Sequence, residues 1–129
     1  MGLEKRRYPR LQAKIKLKIA KVSQEIKDLQ AIDAVSKDIG AAGICVVTRK
    51  LFAVNDIIDL DILLPDGKEA RVVGIVKWVV EQGSLKGLGL NDFFVGVKFV
   101  KISNTDRDAI GKFLFDSMHG YGDAPPPSV

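Results

Sequence analysis

The 129 residues are 47% hydrophobic and 28% charged, an ordinary globular balance that excludes global disorder and fits one domain with its own core. The net charge of +4 favours an anionic partner, although much of the excess lies between residues 5 and 21. The single cysteine, Cys45, excludes an internal disulfide and a cysteine-based metal site. Neither a signal peptide nor an apolar run of roughly 20 residues is present, so we expect a cytoplasmic protein without a membrane span.

The first predicted element is a basic arm over residues 1–11, centred on the sequence Lys5-Arg6-Arg7-Tyr8-Pro9-Arg10. Pro9 has a fixed φ, lacks an N–H and disfavours a helical Tyr8, so the segment is predicted to be extended and without ladder hydrogen bonds. In an extended chain Arg6 and Arg10 face the same side, roughly 13 Å apart. A guanidinium binds phosphate through two parallel hydrogen bonds and pairs with guanine O6 and N7. A merely solvated basic terminus is the alternative interpretation.

Residues 12–119 are predicted to form one domain that begins with short strands. Strict alternation of lysine and aliphatic residues over 14–19 predicts a half-buried strand with a lysine face. Residues 22–31 are ambiguous, and we favour strand–turn–strand over a helix. Gly40 and Gly43, among small residues, predict a tight corner that needs positive φ or close backbone approach. The apolar run 44–48 then predicts a buried strand.

The second half of the domain is predicted to contain further short strands, and then a segment whose apolar residues have the spacing of a helix. The predictions, in order, are a turn at Asn55-Asp56, a strand at 57–64 with Asp59 and Asp61 on its wet face, a turn at Pro65-Asp66-Gly67, a strand at 71–80 bent at Gly74, a glycine-rich loop at 81–92, a strand at 93–100 and a helix at about 106–118. The caps at Ser103 to Asp106 begin the helix, and its buried face holds Ile110, Phe113, Leu114 and Met118. Gly120 is predicted to end it, and residues 120–129 form a disordered tail. We therefore predict an all-β fold, a six-stranded antiparallel β-barrel with a C-terminal helix.

The sequence offers little for catalysis and more for binding. His119 stands alone, and Asp59 and Asp61 belong to a solvated face, so we expect neither an enzyme nor a metal site or cofactor. An ionised Asp38, in contrast, accepts hydrogen bonds from the N–H groups on the Watson–Crick edge of guanine. Together with the arginine arm and the permissive backbone at Gly40 and Gly43, it predicts a guanine-nucleotide site. Taken singly, Asp38 is better explained as a turn residue, and Gly40 and Gly43 as plain corner geometry.

Four motifs, in order, resemble those of the PilZ domain, the bacterial receptor module for cyclic di-GMP. The family's RxxxR motif stands as Arg6-Arg7-Tyr8-Pro9-Arg10, and its [D/N]xSxxG motif as Asp38-Ile39-Gly40-Ala41-Ala42-Gly43. The closing strand with Gly96-Val97-Lys98-Phe99 and the helix start at Ser103-Asn104-Thr105-Asp106-Arg107 also follow the family pattern. The resemblance covers the chain from Arg6 to about Phe115.

The resemblance implies a cyclic di-GMP receptor whose arm orders over the ligand and whose altered surface signals to a protein partner. The implied ligand-binding residues are Arg6, Arg7, Arg10, Asp38, Gly40 and Gly43. Gly40 replaces the family's serine, and one lost hydrogen bond costs about 0.5–1.5 kcal/mol, which weakens binding without abolishing it. Two alternatives stay open: a degenerate PilZ domain that binds only a protein, and, less favoured, a basic barrel that binds nucleic acid through its lysine strand.

Overall fold

The structure, a computed structural model, describes residues 10–22, 31–85 and 90–119. Its elements, in chain order, are β1 (Arg10–Gln12), β2 (Lys16–Lys21), β3 (Ile32–Gly40), β4 (Gly43–Thr48), β5 (Ile57–Leu63), β6 (Glu69–Leu85), β7 (Leu90–Ile102) and α1 (Asn104–His119). Four predicted features lie outside the described residues: residues 1–9 of the basic arm, most of the ambiguous segment 22–31, the centre of the glycine-rich loop, and the helix stop at Gly120 with the tail.

Six of the strands close into an antiparallel barrel. The order is β3-β2-β5-β6-β7-β4, and β4 pairs back with β3 to complete the ring. The short β1 pairs with the C-terminal part of β3, and β2 pairs with its N-terminal part. Both strands lie along the same side of β3. The prediction of a six-stranded antiparallel barrel with a C-terminal helix is confirmed.

The core lies inside the barrel and under the helix. β5 alternates between exposed and buried side chains along its whole length, as the sequence pattern predicts, and Asp59 and Asp61 are on its exposed face. The predicted helix is confirmed but begins at Asn104. The Ser103 hydroxyl accepts a hydrogen bond from the Asp106 N–H at 3.1 Å and donates one to its carboxylate at 2.9 Å. Ile110 and Leu114 of this helix are buried against the barrel core, whereas Met118 is exposed.

The local turn signals are confirmed as well. Gly67 has a φ of 90° in the turn between β5 and β6, and Asn55 has a φ of 78° before β5. Gly74 lies at a shift in register between β6 and β7, where Val100 of β7 is the extra residue, so the strand is irregular at the predicted position. A Cβ on Gly74 would overlap Cγ1 of Val97, so only glycine permits this close approach.

Two sequence predictions are wrong, both because strand pairing outweighs a local preference. Most of the predicted loop 81–92 is strand, since β6 continues to Leu85 and β7 begins at Leu90, with these two residues paired. Glycines lower strand propensity, but ladder pairing across the hairpin outweighs that local preference. Arg10 was expected to be unpaired, yet it pairs with Gly40 in the β1–β3 ladder.

A bulge at Lys37 turns β3 from one face of the barrel wall to the other. Ser36 pairs with Val46 inside the barrel, whereas Asp38 pairs with Cys45 on the outer side. In a regular strand residues two apart face the same way, so Ser36 and Asp38 would both point inward. The extra residue reverses this alternation and directs Asp38 to the outer surface.

The Ser36 side chain bonds the neighbouring backbone where β1 and β2 are interrupted. Its hydroxyl accepts a hydrogen bond from the Ile15 N–H at 2.9 Å and donates one to the Ala13 carbonyl. The Ser36 N–H also donates to the Ile15 carbonyl at 2.8 Å. Because Ser36 is 2% exposed, water cannot replace these bonds.

We predict that Ser36→Ala lowers the free energy of unfolding by about 1–3 kcal/mol, since it leaves a buried donor and a buried acceptor without a partner. Urea denaturation followed by circular dichroism measures this loss.

Ser117→Ala is the matched control, because Ser117 is exposed on α1. We expect this variant to change stability by less than about 0.5 kcal/mol. Equal urea midpoints for Ser36→Ala and the wild type would show that the hydroxyl does not stabilise the interruption between β1 and β2.

Candidate functional site

Asp38 and Arg10 form an ion pair on the outer surface of the barrel. The Arg10 guanidinium donates from Nε to Asp38 Oδ1 at 2.9 Å and from Nη2 to the same oxygen. The two side chains are 20% and 16% exposed, so the pair is partly shielded from water yet still accessible to a ligand. The sequence predicted these residues for one site, and the structure brings them into direct contact.

The pairing of β1 with β3 fixes the position of Arg10. Arg10 lies opposite Gly40, and Gln12 lies opposite Asp38. Arg10 is therefore beside the corner that runs from Asp38 to Gly43. The predicted site residues Arg10, Asp38, Gly40 and Gly43 therefore come together. Arg6 and Arg7, the other two predicted ligands, lie outside the described residues.

Gly43 serves close packing within the barrel. A Cβ at this position would lie 2.5 Å from the Val97 carbonyl oxygen and 3.4 Å from Arg10 Nη1. The predicted close backbone approach is therefore present at Gly43, and it is made to β7. Among the described residues only Asn55 and Gly67 have positive φ, so neither Gly40 nor Gly43 is needed for a left-handed conformation.

An indole ring lies beside the ion pair, and the sequence reasoning did not include it. Trp78 on β6 pairs with Gly96 on β7, which in turn pairs with Cys45 next to Asp38. The Trp78 ring rests directly on Gly96, where a Cβ would overlap its Cε2 and Nε1 atoms. Trp78 is 43% exposed, so one aromatic surface is available to a ligand. The signals available in the sequence were the single tryptophan and a glycine, Gly96, within a strand pattern. Only the register of β6 against β7 shows that these two residues are neighbours.

These residues line a pocket of about 700 Å³ on the outer barrel wall. The sequence analysis also missed its three lysines, Lys37, Lys77 and Lys98. Together with Arg10 they place four cationic side chains around the single carboxylate of Asp38, counting only the lining side chains that the structure describes. A pocket with excess positive charge, an exposed aromatic ring and one carboxylate suits an anionic ligand that carries a flat ring with N–H donors.

The family of the chain follows from a match to a family model. The model for the PilZ domain matches residues 4–116. The chain belongs to the PilZ domain family. No curated protein sequence matches it significantly.

Solved structures of PilZ proteins share the fold. The PilZ domain of YcgR from Escherichia coli, solved with c-di-GMP, has a TM-score of 0.68 at 14% identity, covering 88% of this chain and 91% of that one. The c-di-GMP complex of MrkH from K. pneumonia has a TM-score of 0.71 at 18% identity, covering 90% of this chain and 52% of that one. The inhibitor of motility MotI/DgrA from Bacillus subtilis has a TM-score of 0.67 at 19% identity, covering 90% and 52%. The chain thus spans about half the length of MrkH and MotI.

The lysine face of β2 is balanced by carboxylates. Lys18 lies opposite Asp33 on one side and Asp61 on the other, and its Nζ is 3.6 Å from Asp33 Oδ1. Asp61 is also 3.2 Å from Arg71 Nε. This mixed charge disfavours the interpretation of β2 as a surface for nucleic acid.

The part of the chain that the structure describes contains no group of three or more His, Cys, Asp or Glu residues that would hold a metal ion. None of its helices combines the length and the apolar character that crossing a bilayer requires.

We predict that Gly96→Ala displaces the Trp78 ring from the barrel wall, because the added methyl group occupies the space of the indole. The fluorescence emission of Trp78, the only tryptophan, should shift to longer wavelength as the ring becomes more exposed. We expect a loss of about 1–3 kcal/mol in the free energy of unfolding, the usual cost of overpacking.

Gly111→Ala on α1 is the control for the same chemical change. Nothing lies within 4 Å of a Cβ there, so the helix should gain about 0.5–1 kcal/mol and the emission should stay unchanged. An unshifted spectrum in Gly96→Ala would refute the contact between the ring and Gly96.

Proposed function

We propose that this PilZ domain is a receptor for cyclic di-GMP that acts as a binding module without catalysis. The observation that carries the proposal is the Arg10–Asp38 pair on the outer barrel wall, next to Trp78 and three lysines. Cyclic di-GMP has two anionic phosphates and two guanines, and this pocket offers a complementary group for each. No metal or other cofactor is part of the proposal.

In the proposed complex, Arg10 binds phosphate and the outer edge of a guanine. Asp38 accepts hydrogen bonds from the Watson–Crick N–H groups of a guanine, through Oδ2, since Arg10 uses only Oδ1. Trp78 stacks on a base, and Lys37, Lys77 and Lys98 neutralise the phosphates.

The ion pair prepares the site for the ligand. Asp38 holds Arg10 against the barrel, which reduces the side-chain entropy that binding has to remove. We propose that the preceding arm, with Arg6 and Arg7, orders over the nucleotide in the same step. The domain division that we propose is therefore an arm at 1–11, the barrel and helix at 12–119, and a tail at 120–129.

The arm and the nucleotide together create a new surface, through which we propose that the domain signals to a protein partner. Because the ligand is an intracellular second messenger, a cytoplasmic location is part of the proposal. The alternative function is a protein-interaction domain that has lost the nucleotide. Gly40 favours it, because the family's serine hydroxyl is absent there.

We predict that the wild type binds cyclic di-GMP in isothermal titration calorimetry and that Arg10→Ala weakens binding at least tenfold. Charge-assisted hydrogen bonds of the kind lost are worth about 1.5–3 kcal/mol, or roughly ten- to a hundredfold.

Arg71→Ala is the matched control, since it also removes a guanidinium paired with an aspartate on the outer wall, but away from the pocket. We expect its affinity to equal that of the wild type. Absence of heat with the folded wild type contradicts the receptor function. Recovery of binding in Gly40→Ser would then identify a degenerate site, and continued absence of binding would leave the family's nucleotide role unsupported in this chain.

We predict that cyclic di-GMP quenches the fluorescence of Trp78 and that Trp78→Leu weakens binding by about 1–3 kcal/mol, the usual contribution of base–aromatic stacking. Calorimetry of this variant gives the affinity. Unaltered emission at saturating ligand, combined with normal affinity of Trp78→Leu, would place the bases away from the indole.

A further inference from the structure

The outer wall of the barrel carries a row of apolar side chains next to the nucleotide pocket. Val35, Val47, Phe94 and Val80 are cross-strand partners on β3, β4, β7 and β6, so their side chains lie side by side. We call these four residues the apolar row. Val80 is 48% exposed, and the other three are half-buried.

Another row on the same outer wall shows how unusual this composition is. Asp33, Lys18, Asp61 and Arg71 are also cross-strand partners, and they carry alternating charges with two salt bridges. Outward positions of a barrel in water are normally polar in this way. Four apolar neighbours in succession indicate a surface that a partner covers.

The row continues into a groove at one end of the barrel wall. This groove has a volume of about 1110 Å³, and its lining includes Val35, Val47, Leu63 and Lys16. Leu63 is 46% exposed and extends the apolar surface beyond β3. Lys16 on β2 lies between Val35 and Leu63, so the row and the groove together form a concave strip whose apolar surface this lysine interrupts.

We propose that this strip binds an acidic amphipathic helix of a partner protein, and that Lys37 links its occupancy to the nucleotide pocket. Only the second part of this proposal, the link through Lys37, rests on the proposed function.

A helix fits the strip better than an added strand does. Val35, Val47 and Phe94 lie on strands that are paired on both sides at these positions, and only β6 has an open ladder edge, at Val80. An extended peptide added there would contact the end of the row and not its length. Neighbouring strands are about 4.8 Å apart, close to the pitch of about 5.4 Å of an α-helix. A helix that crosses the strands therefore places one apolar side chain per turn over each member of the row.

The charges at the border of the strip decide the character of the partner. Lys16 lies opposite Val35 at the end of the row, and the Lys37 Nζ is 5.0 Å from the centre of the Phe94 ring. Three carboxylates that line the groove are in salt bridges, Asp33 with Lys18, Asp61 with Arg71 and Asp92 with Arg49, while Glu69 lies opposite Leu63. Positive charge therefore prevails at the apolar row itself, at Lys16 and Lys37, where it complements acidic residues beside the apolar stripe of the helix.

Lys37 belongs to both surfaces. It covers the Phe94 ring in the structure, and it also lines the pocket that holds Arg10 and Asp38. A phosphate in that pocket attracts the ammonium group away from the ring, since a charge-assisted hydrogen bond is stronger than an exposed cation–π contact. Ligand binding then uncovers Phe94 and increases the affinity of the strip for the helix.

The test uses a fluorescein-labelled synthetic peptide of about four helical turns, with leucine once per turn and glutamate beside the leucines. Fluorescence anisotropy measures its binding to the full chain. Val80→Lys should weaken binding at least about tenfold, whereas Val100→Lys should not. Val100 is the matched control, because it is 53% exposed and lies outside the row. Thermal melts confirm that both variants fold.

Three further comparisons complete the test. A peptide with lysine in place of glutamate should bind more weakly. Saturating cyclic di-GMP should tighten the acidic peptide by about fivefold, the lower end of typical couplings, and Lys37→Met should remove this increase. Sedimentation velocity shows whether the chain self-associates through the row instead.

The outcomes separate the two parts of the proposal. Equal binding by Val80→Lys and Val100→Lys, no binding by the wild type, or a dimer that Val80→Lys dissolves each overturns the helix-binding strip. Ligand binding without a change in peptide affinity overturns the role of Lys37. If calorimetry detects no cyclic di-GMP binding while the peptide still distinguishes the two variants, the receptor function fails and the docking strip is supported.

Discussion

The hydroxyl of Ser36 bonds the backbone on both sides of the interruption between β1 and β2, while β3 bulges at the next residue. The bulge reverses the alternation of β3, so Asp38 leaves the core and points outward. The same hydrogen bonds attach β1 to the barrel, which brings Arg10 next to Asp38. One buried serine thus supports both partners of the ion pair, although it contacts neither of their side chains in the described bonds.

The size of the barrel explains why the site lies outside it. Even an eight-stranded barrel has an interior only just wide enough for its own side chains, so six strands leave less room still. The inward residues of this barrel, including Ile39, Ile44 and Val46, are 0% exposed. The interior thus has no room for a ligand, whereas the outer wall has a pocket, where the small residues Cys45 and Gly96 leave space. The flat ring of Trp78 uses that space in the structure described here.

The outer wall also places two chemically different surfaces side by side. The pocket is cationic and contains the ion pair, while the adjacent row is apolar. Lys37, the bulged residue, lies between them and contacts the Phe94 ring. The proposed coupling of ligand and partner therefore needs no large movement, because one long side chain reaches both surfaces. The bulge that directs Asp38 outward thereby also determines the position of this lysine.

The sequence alone determined those features that depend on near neighbours in the chain. The alternation over 57–63, the turn before Gly67 and the Ser103 cap each act within a few residues, and all three were predicted. The motifs also predicted that Arg10 and Asp38 share a site. Tertiary structure decided the ion pair itself, the ring of Trp78 on Gly96 and the strand at 81–85. The ion pair depends on the register of β1 against β3, 28 residues apart in the chain. The Trp78 contact and the strand at 81–85 depend on how far β6 and β7 pair and in which register, and no local pattern encodes register.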